Sequence, residues 1–283
     1  MTGRLDVIPG QSILAETIAE MTLPEVEAAI GRGAIALWGL GVVEQHGPHL
    51  PTGTDIYIPS ARLRLTRQEL AARGLEALIV PPFYWGVNHV SSGFGASYQV
   101  RPSAMVDLMC DVIASLGRDG FRHLFCISGH GDALHNRTIH KGCVAGSVED
   151  GIRARFVAGG NLLDRLGIAR DDPHALATGP EFPAARPGAR HVDVHAGDWE
   201  TSLMLAIHPE VVRRDALPDL PDTALGPDDL AVWRQGGAHA RGVTPNGYFG
   251  DPASATVEFG RQEICAEARD ISDAIYNYLK TRQ

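Results

Sequence analysis

Short apolar runs alternate with longer segments of helical period along most of the chain. GAIALWGLGVV (33–43) is almost continuously apolar and predicts a buried strand. IPSARLRLTRQELAARG (58–74) then carries a helical pattern, with Pro59 near the first turn and Gly74 at the stop. ALIVPPFYWG (77–86) predicts a second strand and RPSAMVDLMCDVIASLGRDG (101–120) a second helix. FRHLFCISGHGD (121–132) reads as a third strand running into a Gly/His loop. A helix over 133–150 and a fourth strand over 154–163 follow. This repetition predicts an α/β fold, a mostly parallel central sheet with helices on both faces. Residues 164–197, rich in proline, alanine and charge, read as a surface excursion, because helical pattern resumes at 198–212. A Gly/Pro-rich segment (239–256) precedes a last amphipathic helix over 257–282. With no repeat or low-complexity tract, residues 1–283 read as one domain with long functional loops.

Composition narrows the function more than the fold. Apolar content of 44% and charged content of 21% are ordinary for a globular chain. The net charge of −9 argues against a nucleic-acid partner, which calls for a basic face. No apolar run approaches the roughly 20 residues that span a bilayer, so no membrane partner is expected. The N-terminal MTGRLDVIPGQS lacks a signal-peptide pattern. Cys110, Cys126, Cys143 and Cys265 form no CxxC pair and read as free thiols of a reducing compartment. The expected location is cytoplasmic.

Chemistry gathers where the strands end. In open parallel sheets ligands lie beyond the carboxyl ends of the strands. The first predicted strand ends in Glu44-Gln45-His46, the third in Ser128-Gly129-His130-Gly131-Asp132, and a third cluster runs from His195 through Asp198 and Trp199 to Glu200. Residues two apart in an extended chain project to one side, so Glu44 and His46 reach one point. Asp55, just before a helix, closes on it from the loop. Two acids and two histidines suit a borderline divalent cation such as zinc or manganese, and a bridging carboxylate makes a two-ion site feasible. Two residues keep an alternative role: Asp132 can cap the next helix, and Glu200 can supply the negative charge a helix first turn favours. His49, after Pro48, reads as exposed, and His135 and His140 as solvent-facing helix positions. His89, in GVNHVSSGFG, lies on the same rim and is a candidate substrate contact.

These stretches resemble the creatininase (creatinine amidohydrolase) family. The resemblance rests on GVVEQHGPHLPTGTD (41–55), on SGHGD (128–132) followed by Asn136, and on HAGDWETSLMLAIHPEVV (195–212). It implies a three-layer α/β sandwich, two divalent ions (zinc, manganese or both), amide-bond hydrolysis of a small polar substrate, and a homo-oligomer, often a hexamer. Carried over by motif, Glu44 and His130 would ligate one ion and His46 the other, with Asp55 bridging. The fifth ligand is open between Asp132 and Glu200, and the one that does not bind metal could take the water's proton. His195 matches the histidine assigned to proton transfer. The segment SSGFGASYQVRP (91–102) departs from the family's substrate-facing run, so creatinine is not implied as the substrate. His89, Ser91, Ser92 and Trp199 are the candidate substrate-binding residues.

Two hydrolytic readings compete: opening of a cyclic amide or cleavage of a formamide, and carbon–carbon hydrolysis of a cyclic diketone of diketo-inositol type. The second draws on the polar side chains Asn88, Ser91, Ser92, Gln99 and Arg101. A third reading is a non-catalytic metal-binding protein. The segment 217–233 reads either as an oligomer contact or as a plain surface loop.

Overall fold

The apolar run at 33–43 forms strand β1 (Ile35–Leu40), buried at every position. In the computed structural model, which describes residues 9–148, 151–179 and 192–281, β1 lies inside a five-stranded sheet. The other strands are β2 (Ala77–Phe83), β3 (His123–Ser128), β4 (Arg153–Gly159) and β5 (Ala175–Thr178), in the order β2-β1-β3-β4-β5, and every pairing is parallel.

Strand side chains alternate between two cores, as period two requires. Ala36, Trp38, Leu40, Leu124, Cys126 and Phe156 pack with Met105 and Met109 of α3 (Pro102–Asp119) and with Ile139 and Cys143 of α4 (Ala133–Gly146). On the other face Ile35, Leu37, Phe125, Ile127 and Val157 meet Leu63 and Leu70 of α2 (Thr54–Ala72) and Ile271 and Ile275 of α9 (Val257–Lys280). The result is the three-layer α/β sandwich. Helix α6 (Asp198–Ile207) packs outside α2 and α9, so α2 is apolar on both its sheet-facing and its outward side. Burying each leucine of this kind contributes about 1.5–3 kcal/mol.

Several boundaries differ from the sequence-based expectation. Helix α2 begins at Thr54, so Asp55 lies in its first turn and Pro59 inside it. The predicted strand 154–163 divides: β4 ends at Gly159 and α5 (Gly160–Leu166) begins at once, a change that an apolar run cannot signal by periodicity alone. Helix α6 stops at Ile207, before Pro209, rather than at 212. Helix α1 (Leu23–Gly31), opened by Thr22 with Glu25 reaching back to it, was not expected, nor was β5 within the supposed excursion. The segment 217–233, read as a contact or a plain loop, holds α7 (Pro227–Trp233), and α8 (Ala238–Val243) follows. Residues 180–191 of the excursion lie outside the described residues. All four cysteines are free, two of them buried, and no described helix is long and apolar enough to cross a membrane.

Candidate metal centre

Strand order reverses between β1 and β3, so their carboxyl ends open side by side onto one crevice. Helix α2 starts directly against both. A Cβ on either Gly41 or Gly129 would lie 2.1 Å from the Asp55 carbonyl oxygen, closer than any side chain allows. Pro59, four residues on, has no N–H to offer that carbonyl. The two glycines let both strand ends close on the start of α2, which sets Asp55 between Glu44 and His46 on one side and His130 on the other.

Donor atoms converge there. His46 Nε2 lies 3.3 Å from Asp55 Oδ1, 3.7 Å from Glu200 Oε2 and 3.9 Å from Glu44 Oε1. His130 Nδ1 lies 3.0 Å from Asp55 Oδ2 and 3.3 Å from Glu44 Oε1. His195 Nδ1 lies 3.6 Å from Glu44 Oε1 and 4.0 Å from Glu200 Oε2. Among the described residues three sets could each hold a cation: Glu44–Asp55–His130, His46–Asp55–Glu200, and Glu44–His46–His195. The first two share Asp55, which turns one oxygen to each.

The donor set fits divalent cations. Glu44 Oε2, His46 Nε2 and Asp55 Oδ2 are buried without a hydrogen bond, which is costly for polar atoms unless something else satisfies them. His46 Nδ1 sits 3.1 Å from the Glu44 carbonyl; a proton there donates to that carbonyl and leaves the Nε2 lone pair facing the carboxylates. Electrostatics agree. Burial disfavours charge on His46, yet Asp55, Glu200 and Glu44 outweigh it and raise its pKa to about 10. His130 is raised for the same reason by Glu44 and Asp55. Burial pushes Asp55 up, but His46 and His130 hold it far below the carboxylate range. Glu200 is pushed up to about 7 by burial, with Asp55 and Glu44 adding to it. The pocket thus concentrates carboxylates that demand positive charge.

Loop and helix supports hold each donor. Asn136 Nδ2 donates to the carbonyls of His130 and Asp132, both at 2.8 Å. Glu200 sits in the first turn of α6 and accepts from the Ala196 N–H at 2.6 Å, so its expected first-turn role and its place in the centre coincide. Ala196 adopts a left-handed φ of 48° to present that N–H. His195 is fixed by paired backbone bonds to Phe249, and its Nε2 lies 2.9 Å from the Gln45 carbonyl. Burial, then His46, pulls its pKa down to about 4, leaving a neutral imidazole.

Other predicted residues lie elsewhere. Asp132 joins no ion-holding set: Oδ1 accepts from the N–H groups of Leu134 and His135, and Oδ2 from those of His89 and Val90. Four donors use the roughly four acceptor sites a carboxylate owns, which corrects its reading as ligand or base in favour of the helix cap. Ser91 is buried with its N–H on Asn88, and Ser92 donates its hydroxyl to the His89 carbonyl; neither lines the cavity, contrary to their reading as substrate contacts. His89 and Trp199 do line it. His49 is buried, not exposed, and bonds Thr201 Oγ1 at 2.8 Å. His135 is buried too, with Nδ1 accepting from the Val87 N–H. Sequence reasoning missed Gln45 and Trp233. The Trp233 ring lies 5.7 Å from that of His195 and donates its N–H to Thr244. The centre opens into a cavity of about 750 Å³, within the usual range for small-molecule sites.

A doubly wound parallel sheet with carboxylate–histidine sets sharing one aspartate at its switch point defines a metal-dependent hydrolase of the α/β class. The chain belongs to the creatininase family: the family model described as creatinine amidohydrolase matches residues 19–275. It is 30% identical over 235 residues to the mycofactocin precursor peptide peptidase of Mycobacterium ulcerans (strain Agy99), covering 82% of this chain and 80% of the relative. It is 25% identical over 225 residues to the creatinine amidohydrolase of Pseudomonas putida, covering 75% and 80%. A solved structure named "Creatininase Mn" shares the fold with a TM-score of 0.66 at 23% identity, covering 93% of this chain and 98% of that one.

Proposed function

We propose that the protein hydrolyses an amide bond with the help of two divalent ions, zinc or manganese as named for solved creatininases. The observation that carries this is the shared aspartate: Asp55 belongs to both Glu44–Asp55–His130 and His46–Asp55–Glu200. In this reading Glu44 and His130 would hold one ion and His46 and Glu200 the other, with Asp55 serving both sets. Two such ions, when bound, lower the pKa of a shared water and polarise the scissile carbonyl. The chain's own contribution is to keep five donors buried and aimed, and to place His195 beside them. His195, neutral and reaching the centre through Nδ1, takes the proton that the attacking water gives up and passes it to the leaving nitrogen. The Trp233 ring packs beside that of His195, 5.7 Å away.

The peptidase name of one relative and the size of the cavity favour an amide within a short peptide or similar chain over a single small ring. The carbon–carbon reading is not better supported, since none of Asn88, Ser91, Ser92, Gln99 and Arg101 lines the cavity. The test is metal content by plasma mass spectrometry on chelator-free protein, beside a hydrolysis panel of cyclic amides, formamides and short peptides. About two ions per chain, lost in Asp55→Ala, with turnover of at least one amide class, is the expected result. A wild type that refuses zinc and manganese overturns the reading.

A further inference from the structure

Among the described residues four arginines line the cavity, and they are not alike. Arg62 of α2, buried, is ion-paired with the buried Glu267 of α9. Arg137 of α4, Arg165 of α5 and Arg234 at the end of α7 form no ion pair among the described residues; Arg137 has one bond, from Nε to the Leu166 carbonyl at 3.3 Å. The chain has acids to spare, 34 against 25 Lys and Arg, yet among the described residues the acids lining the cavity are all committed. Glu44 and Glu200 face the metal centre, Asp132 caps α4, Asp193 accepts from the Asp198 N–H, and Glu267 holds Arg62. Arg137, Arg165 and Arg234 come from three different elements, all three are exposed, and all three line this one cavity. Exposed cations without an acidic partner at the lining of one cavity draw anions toward it.

We propose that the substrate carries an anionic group, carboxylate or phosphate, which Arg165 and Arg234, assisted by Arg137, hold while the scissile amide lies at the metal centre. Guanidinium forks suit both groups, since each offers paired oxygens. The proposal rests on the hydrolase reading for the amide, whereas anion binding is measurable apart from it.

The experiment is calorimetric titration of the purified protein with three probes: N-acetyl-alanyl-alanine, its C-terminal amide, and inorganic phosphate. Wild type is run beside R165Q, R234Q, the double variant, the control R118Q on α3, and Asp55→Ala. The free acid or phosphate should bind roughly tenfold or more tightly than the uncharged amide, and the double variant should abolish the preference. R118Q should retain it, and so should Asp55→Ala, in which the ions are absent on the reading above. The acid binding better than phosphate identifies a carboxylate substrate, and the reverse a phosphorylated one. Equal binding of acid and amide together with no binding of phosphate overturns the proposal. So does a preference that survives R165Q/R234Q with unchanged melting temperature. A preference lost in Asp55→Ala also overturns it, because the anion then sits on the metal. Metal binding without the preference sinks the arginine site alone; the preference without metal binding sinks the hydrolase reading alone.

Discussion

Asp55 and Asp132 occupy matching places and do opposite things. Each follows a loop from a strand end, each sits at the start of a helix, and each is almost fully buried, at 1% and 5% exposure. Asp132 is saturated by backbone: two N–H groups of α4 and two of the 89–90 turn point at it. Asp55 is surrounded instead by imidazoles, and its Oδ2 has no hydrogen bond. Burial alone therefore does not separate a structural acid from a ligand; the identity of the donors does. A carboxylate filled with backbone N–H bonds is finished, whereas one packed among imidazoles and other carboxylates is placed to share a cation with them.

The sharpest way to break this comparison is to remove each aspartate. Asp55→Ala should lose both ions and all hydrolytic turnover while remaining folded, read by metal analysis and circular dichroism. A variant retaining full metal content would make Asp55 no different in kind from Asp132. Next in size, His195→Ala should keep its metal and lose turnover by roughly 10²–10⁴. Turnover at the wild-type level would leave His195 a packing residue beside Trp233.

Asp132→Ala should leave metal stoichiometry intact and cost about 2–3 kcal/mol in denaturant unfolding, since a cap and a cross-link between two segments go together. Its pH dependence has a definite sign. Burial pushes the Asp132 pKa up, but His130 and the N–H donors outweigh it and hold it below its ordinary value of 3.8. The stabilisation is thus complete above the unfolded value near 4 and is lost as pH falls through the folded value. The gap between wild type and Asp132→Ala should therefore be constant from neutral pH down to about 5 and close below 4. A gap that widens in acid would mean the carboxylate is not held ionised by those donors.

How much of this was legible follows the same division. Glu44, His46, Asp55 and His130 were readable because residue type and strand-end placement suffice to bring them to one rim, whatever the exact packing. The fold was readable because β1 to β4 are apolar enough to be covered on both faces, as the alternation of β1 between two cores shows, whereas the short, half-buried β5 carries no such signal. Asp132 was not, because ligand and cap demand the same residue at the same position, and only the positions of Val90 and His89 decide. His49 and His135 were misplaced on the surface because a histidine after proline or within a helix carries no sign of what will cover it. Helix α6 covers the first, and β1 with the 86–87 loop covers the second. Gly41 read as part of the first strand and Gly129 as a loop residue; their closeness to the Asp55 carbonyl exists only once β1, β3 and α2 have assembled. Trp233 lay in a Gly/Pro/Asp-rich stretch where helical period is too short to register.

His49 supplies the smallest and most discriminating step. It stands five residues after Glu44 in the same loop, is as buried as the proposed ligands, and yet belongs with Asp132 rather than Asp55. Burial, with His46 and His195 adding to it, pulls its pKa down to about 4, so it is a neutral imidazole sharing a hydrogen bond with Thr201 at 2.8 Å. That bond ties the metal loop to α6, the helix that brings Glu200. Thr201→Val should cost about 1–2 kcal/mol by leaving one buried ring nitrogen without its partner, with no loss of metal. Because the ring is already uncharged, the cost should be flat between about pH 6 and 8. Adding His49→Phe to Thr201→Val removes both polar partners, so the double variant should be less destabilised than the sum of the singles, by about 1 kcal/mol in a double-mutant cycle. Strict additivity would mean that the two side chains do not hold one another, and that Glu200 is placed by the α6 backbone and its Ala196 contact alone.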